Sequence, residues 1–155
     1  MIGILDYGVG NLKAFANVLK GLNFNHQIVK TEQELKSCTK IIMPGVGSFD
    51  SVMDKLIESG IQDVLFDLVI DKKVPVLGVC VGMQILASSS EEGSKSGLGW
   101  IRGRVKKFNF DRSNSFLTIP QIGWNEVSST RENTLLKKFG EESSFLFLTF
   151  VLYGM

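Results

Sequence analysis

Four short runs rich in isoleucine and valine recur along the chain with amphipathic stretches between them, and no other feature narrows the fold as far. The runs are Ile2–Leu5, His26–Val29, Lys40–Met43 and Val74–Gly78. Strands of a parallel sheet are covered on both faces and joined by crossover helices, so they read as brief apolar runs separated by helical periodicity. Between the first two runs, Ala14, Phe15, Val18, Leu19 and Leu22 recur at helical spacing, with Gly21 or Asn23 able to close the helix. From Phe49 to Ile70 the positions Val52, Leu56, Ile57, Ile61, Val64, Leu65 and Leu68 predict one or two helices broken near Ser59-Gly60. Pro75 then opens a strand expected to be buried. After Gly99 the texture changes, and Arg102–Phe108, Ser115–Ile119 and Ile122–Val127 read as antiparallel strands between polar turns. With no internal repeat, low-complexity tract or linker, residues 1–155 are expected to form a single α/β domain.

Composition narrows the function classes. A net charge of +1 gives no global bias toward nucleic acid or an anionic membrane, and the pairs Lys72-Lys73 and Lys137-Lys138 read as solvated surface. Any charged ligand must be bound locally. The N-terminal Met1-Ile-Gly-Ile-Leu-Asp6 lacks a basic region and a long apolar run, so the expected location is the cytoplasm. The apolar segment Phe145–Met155 is about half the ~20 residues a membrane helix needs, and reads as a strand or as something abnormal. Cys38 and Cys80 are too few for a disulfide framework, which leaves the question of which thiol reacts.

Gly78-Val-Cys-Val-Gly82 is the sharpest local signal. Glycines on either side of a nucleophile, where a strand ends and a helix begins, permit a tight turn that points the nucleophile out of the sheet. A helix N-terminus behind Cys80 favours thiolate, and the Val81 N–H can donate to an oxyanion on an attacked carbonyl. Most cysteines in apolar segments are inert and packed. That reading is kept for Cys38, in Leu35-Lys-Ser-Cys-Thr39, and reversed for Cys80 by its surroundings. A second glycine-rich loop, Pro44-Gly-Val-Gly-Ser-Phe49, follows a strand and precedes a helix, so its amides can also converge at the carboxyl edge and supply another oxyanion donor. No Gly-Lys-Ser/Thr follows it, which argues against a phosphate loop. Asp6-Tyr-Gly-Val-Gly-Asn11 lacks the third glycine of a dinucleotide fingerprint.

These pieces, with Gly78-Val-Cys-Val-Gly-Met-Gln84, Gly97-Leu-Gly-Trp100 and Pro120-Gln-Ile-Gly-Trp-Asn125, form an ordered motif set across most of the chain. The set resembles the glutaminase subunit of imidazole glycerol phosphate synthase, a class I glutamine amidotransferase with a flavodoxin-like parallel sheet and flanking helices. The resemblance implies Cys80 as nucleophile, Val46 and Val81 as oxyanion donors, and Gly45, Gly47 and Gln84 near bound glutamine. It also implies that Asn11, Trp124 and Asn125 face a cyclase subunit that receives the ammonia, and that no metal or organic cofactor is needed. Read without the resemblance, Trp124 is a core anchor and Asn11 a helix cap. Gln121 departs from the histidine usual in the family; it keeps a hydrogen bond but carries no charge.

A cysteine amidotransferase also needs a base and a carboxylate to orient it. The one histidine, His26, lies in the second strand run and reads as filler. The resemblance places the family's His and Glu beyond Met155, so this chain is expected to be a C-terminally incomplete member, inactive by itself and short of sheet cover. Deleting one T from a permitted back-translation of Phe145–Met155 restores a family-like Phe-Tyr-Phe-Leu-His-Ser-Tyr, which suggests a frameshifted tail. Two other readings stand beside the enzyme: a non-catalytic or fragmentary paralogue, and a supplier of ammonia for surface-sugar amination. If the tail is frameshifted, sequencing the gene across the codons for Ser144 to Phe150 will show a thymine-rich homopolymer; a frame without one counts against it.

Overall fold

The computed structural model describes residues 1–109, 120–127, 144–149 and 151–154. They fall into two units, Met1–Lys106 with Tyr153–Met155, and Lys107–Leu152. In the first, strands β1 (Ile2–Leu5), β2 (His26–Val29), β3 (Lys40–Gly45) and β4 (Val76–Cys80) form one parallel sheet in the order β2-β1-β3-β4. The helices are α1 (Leu12–Gly21), α2 (Glu32–Lys36), α3 (Phe49–Glu58), α4 (Gln62–Phe66) and the single turn α5 (Val81–Gln84), with a π-helical turn at Asp67–Asp71.

Local sequence sets each helix. Asn11 caps α1 by accepting from the Ala14 N–H, and Leu12, Phe15, Ala16 and Leu19 turn inward at i, i+3, i+4 and i+7. The helix ends in a left-handed Asn23, whose N–H donates to the Lys20 carbonyl. Thr31 and Glu34 form a reciprocal capping box on α2. Ser48 caps α3, which buries Phe49, Val52, Met53 and Leu56 at the same spacing as α1. The expected break falls where Gly60 takes φ 70° and Ser59 Oγ donates to the Leu56 carbonyl.

The sheet divides the apolar residues by strand parity. Leu5, Ile41 and Met43 face a large core with Phe49, Leu56, Leu65 and Ile85. Ile4 and Ile42 face Leu19, Phe15 and Ala16 of α1. Truncating a fully buried residue such as Phe49 to Ala costs about 3–5 kcal/mol, so the α3 side carries most of the packing.

Two strand expectations shift. The fourth strand starts at Val76, two residues later than Val74, because Lys73 holds φ 58° and Pro75 has no N–H to give a ladder. It is also less buried than expected, with Leu77 44% exposed, since β4 has a described partner strand only in β3. The first and second runs match β1 and β2 residue for residue. Beyond Gly99, β5 is Arg104–Lys107 and β6 is Gln121–Glu126, while the expected strand Ser115–Ile119 lies outside the described residues. β6 pairs antiparallel with β7 (Ser144–Thr149), and β8 spans Val151–Gly154, so most of the apolar tail is strand. Among the described residues no helix is long and apolar enough to cross a membrane.

Gly97-Leu-Gly-Trp100 has a structural task. The Leu98 and Gly99 amides donate to the Ile85 and Ala87 carbonyls, and Leu98 and Trp100 pack on the main core behind α5. The preceding turn is tied to α3 by Asp50, whose carboxylate accepts from the Ser94 and Lys95 amides and from the Ser94 hydroxyl. The Ser94 amide, then that of Lys95, holds the Asp50 carboxyl below the usual aspartate range. The depressed group favours the folded state whenever it is ionised, and that contribution disappears as pH falls through the folded-state pKa. Amide exchange should find Ser94 and Lys95 still protected where an ordinary aspartate is already protonated, and released only at lower pH. Asp50→Asn should release them at neutral pH, while unchanged protection in that variant would contradict the tie.

Candidate active site

The nucleophile elbow is built by backbones that touch. A Cβ on Gly45 would lie 2.1 Å from the Gly82 nitrogen, and one on Gly82 would lie 2.1 Å from the Met43 carbonyl oxygen. One on Gly78 would lie 2.5 Å from the Met83 Cα. Only hydrogen at these three positions lets α5 seat against the ends of β3 and β4. The turn between β4 and α5 then forces Cys80 to φ 56° and ψ −123°, a conformation that favours glycine. The side chain it presents is exposed.

Strand register brings the second loop to the thiol. Gly45 is the direct partner of Cys80 at the end of the β3–β4 ladder, so Val46 stands one residue past the sheet edge beside the nucleophile. Val46 is 62% exposed and Gly47 takes φ 115°. A cleft of about 570 Å³ is lined by Gly10, Asn11, Phe15, Pro44, Gly45, Val46, Val79 and Cys80. Its walls are mostly apolar, with Cys80 and Asn11 as the polar exceptions. Val81 opens α5, where first-turn amides lack intrahelical acceptors. Because α5 is only four residues long, the polar help it lends comes from these amides and not from a long dipole.

Gln84 closes α5, and its Oε1 is a buried acceptor with no hydrogen-bond partner among the described residues. An unmatched buried acceptor costs about 1–3 kcal/mol; Gln84 is not among the residues lining the cleft. Asn11 lines the cleft and also caps α1, as the simpler reading of that residue expects. Trp124 and Asn125 belong to the second unit. Trp124 is 72% exposed on β6, which corrects the core-anchor reading: its strand position points it to solvent. The Asn125 amide donates to the Gly123 carbonyl.

Cys38 is buried, and its thiol donates to the Glu34 carbonyl. Burial pushes that thiol's pKa up, so it is the unreactive cysteine of the pair. His26 sits at the amino end of β2, where its register partner is Ile2, whereas Cys80 ends β4 at the carboxyl edge. Its Nδ1–H donates to the Phe24 carbonyl. Sequence reasoning overlooked Tyr7, whose hydroxyl donates to the Pro44 carbonyl from within the core. An aromatic two residues past the strand end, before Gly8 and Gly10, was the available signal.

The backbone strain at Cys80 predicts a measurable asymmetry. Cys80→Gly should be more stable to urea than Cys80→Ala by about 1–2 kcal/mol, the reverse of the order at an ordinary strand position. Equal midpoints, or a more stable alanine variant, would show that the turn is relaxed.

Comparison with known proteins points to one family. The family model described as SNO glutamine amidotransferase matches residues 9–130. Imidazole glycerol phosphate synthase subunit HisH of Leptospira borgpetersenii is 84% identical over 148 residues, covering 96% of this chain and 72% of the relative. The subunit of the same name from Bacillus subtilis is 34% identical over 157 residues, covering 100% of this chain and 74% of the relative. A crystal structure of a glutamine amidotransferase superposes with a TM-score of 0.62 at 22% identity, over 81% of this chain and 62% of that one, which supports the fold. A cysteine on a strained elbow, a glycine loop in register beside it and a family match spanning both make the chain a member of the SNO glutamine amidotransferase family.

Proposed function

We propose that the chain is the glutaminase subunit of an imidazole glycerol phosphate synthase, delivering ammonia to a cyclase subunit in histidine biosynthesis in the cytoplasm. The observation that carries the proposal is the register pairing of Gly45 with Cys80, which sets the Val46 loop beside an exposed cysteine. The identity to HisH subunits over nearly the whole chain supplies the pathway.

In the reaction, the Cys80 thiolate attacks the side-chain amide carbon of glutamine and the carbonyl π electrons move onto oxygen. The Val46 and Val81 amides receive that oxyanion; removing one such donor typically costs a factor of about 10²–10³. Collapse of the tetrahedral adduct breaks the C–N bond as the amide nitrogen takes up the proton given up by the Cys80 thiol and leaves as ammonia; water then hydrolyses the glutamyl thioester to glutamate and returns the thiol. Gly45, Gly47 and Gln84 hold the substrate, with Gln84 Oε1 accepting from its ammonium or amide group. Asn11, Trp124 and Asn125 face the cyclase, and the exposed indole of Trp124 is suited to an interface.

A second reading has its own observation. The chain's one histidine is bound to Phe24 at the amino end of the sheet, away from the thiol. General acid-base catalysis contributes a factor of about 10²–10⁴, so a chain without that base at the carboxyl edge would dock on a cyclase and turn glutamine over poorly.

The chloromethyl ketone analogue of glutamine separates these readings from a wrong assignment. The Cys80 sulfur displaces chloride from its methylene carbon, a step that needs no histidine. Mass spectrometry should find one label per chain, on Cys80, absent in Cys80→Ala and slowed by excess glutamine. Ammonia release with the cyclase should remain within roughly tenfold of Cys80→Ala if the second reading holds. Labelling that ignores glutamine, or falls on Cys38, would end the glutaminase proposal.

A further inference from the structure

The β1 side of strand β3 runs out of partners before its end. The β1–β3 ladder stops at Ile4 and Ile42, yet β3 continues through Met43, Pro44 and Gly45 to the loop that carries Val46. Tyr7, two residues past the end of β1, turns back into the core with 3% of its surface exposed, and its hydroxyl donates to the Pro44 carbonyl. The side chain thus supplies, beyond the end of β1, the lateral bond that a ladder amide would have given. Gly10, from the same loop, lies against the Pro44 ring closely enough that a Cβ there would stand 2.6 Å from the Pro44 Cβ.

Downstream, once the ladder to β4 has ended at Gly45, the next described tie is the Ser48 side chain, which accepts from the Ser51 amide. Between Pro44 and Ser48 lie the exposed Val46 and the left-handed Gly47, which has nothing within 4 Å of a Cβ position. On the β1 side of β3, the Pro44–Gly45 peptide is therefore the last one fixed laterally before the oxyanion donor.

We propose that Tyr7 is the positioning residue of the oxyanion loop: its hydroxyl fixes the Pro44–Gly45 peptide plane and thereby aims the Val46 N–H at the carbonyl attacked by Cys80. The inference deepens the glutaminase reading and rests on it. Burial raises the Tyr7 pKa well above its ordinary value, so the hydroxyl stays protonated and able to donate throughout the range in which Cys80 would work. Tyr7 itself is not among the residues lining the cleft and acts only through the loop.

Two electrophiles test this. The glutamine chloromethyl ketone places a carbonyl oxygen in the oxyanion site while the Cys80 sulfur displaces chloride from its CH₂Cl carbon. Iodoacetamide alkylates the same sulfur by displacing iodide, with no oxyanion to bind. Tyr7→Phe should slow the ketone roughly tenfold and leave the iodoacetamide rate at Cys80 unchanged. Placing 4-aminophenylalanine at position 7 keeps an N–H donor beside Pro44 and should restore the ketone rate; it also provides a reading if the phenylalanine variant does not fold. Hydrogen exchange should quicken at Gly45 to Gly47 in Tyr7→Phe and remain unchanged in β2.

Equal ketone rates in wild type and Tyr7→Phe would overturn the proposal. So would a parallel fall with both reagents, or 4-aminophenylalanine leaving the ketone rate depressed, since either marks a general structural role. If the wild-type chain itself shows no glutamine-protected labelling, the glutaminase reading fails first and the Tyr7 proposal goes with it.

Discussion

Three backbones meet without side chains between them where β3, β4 and α5 come together, and the placement of the nucleophile follows from that contact. Gly45, Gly78 and Gly82 each sit where a single added carbon would lie within about 2.6 Å of a neighbouring backbone atom, closer than real Cβ contacts come. Because α5 can then lie directly against the strand ends, the chain between Gly78 and Gly82 has too little length to relax, and Cys80 takes the strain in its backbone. The strain persists because the packing around it over-determines the turn. The large core on the α3 side supplies that packing, with Val81, Ile85 and Leu86 inserted into it immediately after the nucleophile.

From this contact the remaining geometry is set by register. A parallel pairing that matches Gly45 with Cys80 places whatever follows Gly45 beside the thiol, so the oxyanion loop needs no long-range device to find its place. What it does need is a fixed peptide plane at its base. Tyr7 bonds the Pro44 carbonyl on one side and Ser48 anchors the start of α3 on the other, leaving a three-residue span between. Behind α5, the segment from Gly97 to Trp100 and the tie from Asp50 to Ser94 and Lys95 close the far side of the same helix turn. The motifs that stood out in the sequence thus separate into two kinds. Some meet at the thiol, and others, such as Gly97-Leu-Gly-Trp100, hold the scaffold that aims it.

Much of this was legible from residues alone. The first two strand runs were readable to the residue because alternating cover on the two sheet faces leaves little freedom in where a short β-rich run begins. The Gly-x-Cys-x-Gly pattern was equally direct, since glycine on both sides of a nucleophile has few other uses. The start of β4 was missed because Val74 and Pro75 look like strand by composition, while the turn that excludes them depends on the left-handed Lys73. Trp124 could not be placed from its type, as a large aromatic serves a core and an interface alike. Tyr7 offered only its place past the end of β1 as a signal, because its partner is a backbone carbonyl 37 residues away. The unmatched oxygen of Gln84 is likewise a property of three-dimensional surroundings and not of the residue's name.

The central claim is that an amide carbonyl presented to Cys80 has its oxygen received by the backbone amides of Val46 and Val81. A crystal structure of the chain carrying the glutamine chloromethyl ketone on its thiol tests this directly. The adduct's carbonyl oxygen should sit about 2.7–3.1 Å from both nitrogens, with its ammonium or carboxylate end toward Gly47 and Gln84. An adduct whose oxygen turns to solvent, with the Val46 loop withdrawn from the sulfur, would contradict it.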